Sequence, residues 1–279
     1  MAFTTQLARA TRLNHSLLCV GLDPEPSKFP GAWAGDAERI YDFCAAIVDA
    51  TKDLVCAFKP QIAYFAAHRA EDQLEQLMAH IKAVAPDVPV ILDAKRGDIG
   101  STAEQYAREA FVRYQADAVT LSPFMGRDTI EPFLAYADKG VILLCRTSNP
   151  GGNDWQMQRL ADVPGQPRLF EHLANLAHSE WNSTGQLGLV VGATFPAEIA
   201  RVRALAPTLP LLIPGVGAQG GDAVATVRAG WRPDAPIVVN SSRAILYASS
   251  GEDFADAARA EALRTRDLLR AARPTDSLA

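Results

Sequence analysis

Lys59, Asp93, Lys95 and Asp98 are charged residues at, or just beyond, the ends of apolar runs. Asp93 and Lys95 are two apart, so on a strand they share one face. Asp98 follows three residues later, across Gly97. Charges gathered at the end of a buried strand cost solvation energy unless they pair. Proteins keep such sets mainly where they catalyse or bind, a structural salt bridge being the plain alternative. A lysine placed there can donate a proton or form a Schiff base. Close carboxylates favour the charged ammonium, which is a donor and a poor nucleophile.

Positioning these groups takes regular elements, and the hydrophobic pattern supplies them. Short apolar runs at 17–22, 54–58, 88–92, 118–121, 141–145, 187–191, 211–213 and 237–239 read as strands. They alternate poorly, as parallel strands covered on both faces do. Helical patterns lie between them. Ile40, Phe43, Cys44, Ile47 and Val48 form one stripe behind a cap at Asp36, and Ser101 with Glu104 has capping-box spacing. Further helices are expected near 198–205 and 252–271. Eight strands with intervening helices predict a single α/β domain over 1–279, a (β/α)8 TIM barrel, with a doubly wound sheet as the alternative. Segment 149–167 reads as a long active-face loop, and the tail after 273 as frayed.

A barrel places its active site at the C-terminal ends of its strands. Polar residues recur there: Asp23, Lys59, Asp93 with Lys95, Ser122, Arg146-Thr147-Ser148, Thr194, Pro214 with the glycine-rich run to Gly221, and Asn240-Ser241-Ser242-Arg243. The glycines after the seventh strand can turn N–H groups toward an anion, and Arg243 in the next loop can clamp a phosphate. Taken singly, Asp23 before Pro24 reads as a turn residue, and Asp98 as a partner for a helix N-terminus.

Composition narrows the function class. A net charge of −5 argues against nucleic acid or an anionic membrane as the main partner. No apolar run is long enough to span a bilayer, and the N-terminus lacks a signal-peptide core. Cys19, Cys44, Cys56 and Cys145 are widely spaced, none at zinc-type spacing, and read as reduced core residues of a cytoplasmic protein. The histidines show no metal-ligand pair, and there is no Gly-x-Ser-x-Gly elbow of a serine hydrolase.

The segment Asp93-Ala94-Lys95-Arg96-Gly97-Asp98-Ile99-Gly100-Ser101-Thr102 resembles the signature of the orotidine 5′-phosphate decarboxylase family, in its longer bacterial (type 2) branch. Val20-Gly21-Leu22-Asp23-Pro24, Phe58-Lys59-Pro60, Thr147-Ser148-Asn149-Pro150-Gly151, Pro214 to Gly221, and Ser242-Arg243 resemble its other blocks, in the family's order. The resemblance implies a homodimeric barrel that decarboxylates a small-molecule nucleotide, orotidine monophosphate, to uridine monophosphate without metal or cofactor. It implies Lys59, Asp93, Lys95 and Asp98 as the catalytic array, with Asp98 reaching the partner subunit's site and Lys95 protonating C6. It further implies ribose contacts from Asp23 and Thr102, a pyrimidine contact from Ser148, and phosphate contacts from Gln219 and Arg243, with Pro214 and Ser242 lining the substrate site. Ser242 departs from the glycine usual in the shorter branch; its hydroxyl either adds a phosphate contact or is tolerated.

Three rivals share parts of the pattern. Sugar-phosphate barrels such as hexulose-phosphate synthases or keto-gulonate-phosphate decarboxylases have Asp-x-Lys-x-x-Asp but use magnesium. A Schiff-base aldolase would use Lys59 or Lys95 as nucleophile. A nucleotide-phosphate sensor would bind without turnover.

Overall fold

The computed structural model describes residues 1–216 and 222–274. Eight parallel strands form one sheet: β1 (Leu18–Leu22), β2 (Ala57–Pro60), β3 (Ile91–Arg96), β4 (Ala118–Leu121), β5 (Gly140–Arg146), β6 (Leu187–Val191), β7 (Leu211–Pro214) and β8 (Ile237–Ser241). Their order is β2-β1-β8-β7-β6-β5-β4-β3. The seam between β2 and β3 is closed by the bridges Phe58–Val90 and Gln61–Asp93. The result is the TIM barrel, not the doubly wound sheet, with helices covering its outer face.

Alternation along the strands divides the barrel interior by height. Cys19, Ala57, Ile91, Ala118, Ile142, Val190, Leu212 and Val238 form an apolar layer with Phe3 and Leu7. Those last two belong to a helix, Phe3–Leu13, whose buried face (Phe3, Leu7, Ala10) closes the lower end of the barrel. A β-carbon at Gly140 would overlap the Phe3 ring, so glycine is what lets this plug seat. Sequence pattern missed the helix because its buried face is marked by only three residues, two of them large, in an otherwise largely polar segment.

Several boundaries differ from expectation. β2 begins at Ala57 rather than at residue 54, because 51–54 makes a turn in which Leu54 N–H bonds the Thr51 carbonyl. β2, β3, β5 and β8 extend through Lys59, Asp93 to Arg96, Arg146, and Asn240-Ser241. Ladder hydrogen bonding continues past the point where the inward face turns polar. The capping box at Ser101 does not form: the helix Gly100–Arg108 starts after Ile99 with no side-chain cap, and Asp98 Oδ1 instead accepts the Ile99 N–H at 2.8 Å. Asp36 does cap, accepting the Glu38 N–H ahead of the helix Ile40–Thr51. The helices expected near 198–205 and 252–271 occupy Pro196–Leu205 and Phe254–Ala271. Segment 149–167 contains a short helix, Gly152–Trp155, and is drawn together at its far end by an Arg159–Arg168 bridge. Among the described residues no helix is long and apolar enough to cross a membrane.

Candidate active site

Above the apolar layer the same inward-facing register delivers charge. Ala57 is followed by Lys59, Ile91 by Asp93, and Ala118 by Thr120. Lys59 and Asp93 are buried, at 4% and 7% exposure, deep enough that neither could stand alone. The Asp93 carboxylate is divided between two lysines: Oδ2 accepts from Lys59 Nζ at 2.9 Å and Oδ1 from Lys95 Nζ at 2.6 Å. Asp23 Oδ1 lies 4.0 Å from Lys59 Nζ and is buried without a hydrogen bond to a described residue.

The charges hold one another ionised. Burial alone would discharge Lys59, but the carboxylates of Asp93 and Asp23 outweigh it and raise its pKa above the ordinary lysine value. Burial would likewise favour a neutral Asp93. Lys59 and Lys95 overcome that and hold its carboxyl well below the usual range. Lys95 differs from its neighbours in being accessible, with 46% of its side chain exposed. It is therefore the most open member of the set.

These groups line a cavity of about 400 Å³ at the upper mouth of the barrel. Lys59, Asp93, Lys95 and Thr120 form one side; Thr147, Ser148 and Asn149 come from the loop after β5; Leu144, Val190, Leu212 and Pro214 make an apolar wall. Ser148 is brought close by Gly192, where any β-carbon would lie 2.7 Å from the Ser148 side chain. Buried Arg146 steadies that loop from behind. It pairs with Glu198 at 2.5 Å and donates to the Thr147 carbonyl, Gln156 Oε1 and Asn153 Oδ1.

Other expected site residues stand apart from this cavity. Arg243 is exposed just beyond β8. Ser242 precedes it with its hydroxyl turned inward, accepting from Asn240 Nδ2 at 3.1 Å and facing Gly21. Gln219 lies outside the described residues. Asp98 and Thr102 do not line the cavity; Thr102 is exposed, beside the strongly exposed Ile99.

Two residues between the charges prove structural. Arg96 forms a two-pronged bond to Glu109, both contacts 2.9 Å, fastening the following helix to β3. Gly97 packs against the Ser122 carbonyl, where a β-carbon would be at 3.2 Å. Thr120 is the polar strand residue of the cavity that sequence reasoning missed, because a lone threonine in an apolar strand carries no signal; Arg146, which at a strand end reads as a ligand group, instead braces the loop from behind.

The four cysteines are free and buried. Burial pushes the thiols up, to about 12 at Cys56 and Cys145, which leaves them inert. Among the described residues no group of three or more His, Cys, Asp or Glu is placed to hold a metal.

Comparison with known proteins bears on this geometry. Residues 16–258 match the model of the orotidine 5′-phosphate decarboxylase / HUMPS family. The chain is 82% identical over 278 residues to the orotidine 5′-phosphate decarboxylase of Leptothrix cholodnii, covering 98% of each. It is 78% identical to that of Polaromonas naphthalenivorans, covering all of this chain and 98% of the other. Among solved structures, the Leishmania donovani OMP decarboxylase aligns with a TM-score of 0.84 at 39% identity, over 98% of this chain and 99% of that one.

Proposed function

The chain belongs to the longer branch of the orotidine 5′-phosphate decarboxylase / HUMPS family and acts as a carboxy-lyase of pyrimidine biosynthesis, and we propose that Lys59, Asp93, Lys95 and a partner's Asp98 are its catalytic array. The substrate is orotidine monophosphate; the products are uridine monophosphate and carbon dioxide. The observation that carries the assignment is the divided carboxylate of Asp93, which fixes one buried and one reachable ammonium in a single array.

Breaking the bond between C6 and the carboxylate leaves an electron pair on C6 that the ring delocalises poorly. A preorganised ammonium beside C6 stabilises that charge as it develops and then transfers its proton there. Lys95 takes this part because it is the accessible lysine; its amine regains a proton from solvent. Asp93, held ionised, repels the substrate carboxylate in the ground state, and that repulsion falls as charge leaves for C6. The apolar wall of Leu144, Val190 and Leu212 suits the uncharged carbon dioxide. Lys59 keeps Asp93 charged and aligned, and with Asp23 faces the ribose. Ser148 contacts the pyrimidine edge. Arg243 and Gln219 hold the phosphate, beside Ser242 and Pro214, whose distant binding energy is realised at the reacting carbon.

A cytoplasmic homodimer with shared sites completes the reading. Its support is the position of Asp98 and Thr102 outside their own cavity, in a segment that carries the exposed Ile99 and whose Gly97 lies near the exposed Met125. Mixed Lys95→Ala and Asp98→Ala subunits should regain roughly a quarter of parental activity, since half the random dimers carry one intact site. No recovery despite demonstrated subunit exchange would exclude sharing.

Purified protein should consume orotidine monophosphate, followed by absorbance, equally with and without EDTA. Loss of activity with EDTA would favour the magnesium-dependent relatives. A folded protein with no turnover would favour a sugar phosphate substrate or a sensor.

A further inference from the structure

We infer that Thr120 is a positioning residue for the reaction, setting both the orientation of the Asp93 carboxylate and the backbone turn that aims Lys95 into the cavity. This inference rests on the function proposed above.

The starting point is an irregularity between β3 and β4. Ile91 pairs with Ala118 and Leu92 with Val119, but the next pairing is Arg96 with Leu121. Three residues, Asp93, Ala94 and Lys95, are thus set against the single residue Thr120. Such a bulge leaves backbone groups without ladder partners and re-aims the side chains it carries. Lys95 also adopts a φ of +48°, the left-handed region that a side-chain-bearing residue enters only under constraint.

Thr120 supplies the missing partners. Its hydroxyl accepts from the N–H groups of both Ala94 and Lys95, each at 3.0 Å, and donates to Asp93 Oδ1 at 2.9 Å. A hydroxyl has one proton to give and two lone pairs, and here all three are used. The β-branched side chain is stiff about χ1 and 1% exposed, so the hydroxyl has little freedom to leave. One group therefore joins the two features that the chemistry needs. It holds the bulge that turns Lys95 inward, and it fixes the carboxylate rotation that gives one oxygen to each lysine. A residue matching only the shape of threonine would fill the space and do neither.

The test compares Thr120→Val, which keeps the shape and removes the hydroxyl, with Thr120→Ser, which keeps the hydroxyl. Thr120→Val should lower kcat on the order of 10²-fold, the scale of a misaligned reacting group, with KM within about threefold. Thr120→Ser should restore kcat to within about threefold of the parent. Parental kcat in Thr120→Val, or an equal loss in Thr120→Ser, would overturn the inference. Should Thr120→Val not fold, Thr120→Cys, close in size but a weak donor and acceptor, takes its place: a kcat loss of at least about tenfold supports the role, and none refutes it. Absence of turnover in the parent would instead count against the proposed function itself.

Discussion

The lower and upper halves of the barrel interior are built on the same strands and the same alternation, yet they are opposite in character. At the bottom Cys19, Ala57, Ile91, Ala118 and Ile142 meet the plug of Phe3 and Leu7, and every inward group is apolar. One inward step higher stand Lys59, Asp93 and Thr120, then the reachable Lys95. The bottom gains stability from dry packing. The top holds charges whose burial is offset only by one another. The contrast teaches that the fold is secured away from the proposed catalytic array, which leaves the upper layer free to hold an arrangement that a stability criterion alone would not select.

This contrast is open to attack at several points. Lys59→Met strikes the top, removing one partner of buried Asp93 while Lys95 and Thr120 remain. A rate loss on the order of 10³-fold is expected from the lost preorganised charge, with a destabilisation of about 3 kcal/mol, measured by steady-state kinetics and denaturant unfolding. Activity close to parental would mean that Asp93 needs no second lysine.

Leu7→Ala strikes the bottom. Leu7 is fully buried in the plug, so truncation should cost about 2–5 kcal/mol of unfolding free energy while kcat per folded molecule stays within about threefold. A matching fall in kcat would show that the two halves are not separable.

The smallest effect concerns pH and sharpens the view of the upper charges as mutually stabilising. Lys59 has a raised folded pKa, so its contribution is complete below its unfolded value of about 10.4 and is lost as pH rises through the folded pKa. Asp93 has a lowered folded pKa. Its contribution is complete above its unfolded value of about 3.9 and is lost as pH falls through the folded pKa. The Tm difference between the parent and Lys59→Met should therefore stay flat from about pH 5 to 9 and narrow on either side. A difference that changes steeply near neutrality would place a different titrating group in control.

What the sequence made legible follows from the same contrast. Charged residues at the ends of apolar runs stand out because burial disfavours them, so Lys59, Asp93 and Lys95 could be read as a candidate site, and the structure brings the three together. The eight strands were readable because their apolar character is nearly continuous. The plugging helix was not, since Phe3, Leu7 and Ala10 mark its buried face too sparsely. Thr120 was hidden because threonine suits a strand with or without a role, and its three hydrogen bonds depend on a bulge that no pattern announces. The division of labour inside Lys95-Arg96-Gly97-Asp98 was also closed to sequence. Adjacent residues there face the cavity, a helix, a neighbouring carbonyl and the N–H of Ile99.

The most direct test of Lys95 as proton donor to C6 is a paired measurement on Lys95→Ala: turnover of orotidine monophosphate, and binding of uridine monophosphate by calorimetry. Turnover should fall by at least about 10³-fold while product binding stays within about tenfold, because the side chain is exposed and the phosphate contacts are untouched. A variant that binds product and decarboxylates near the parental rate would remove Lys95 as the donor.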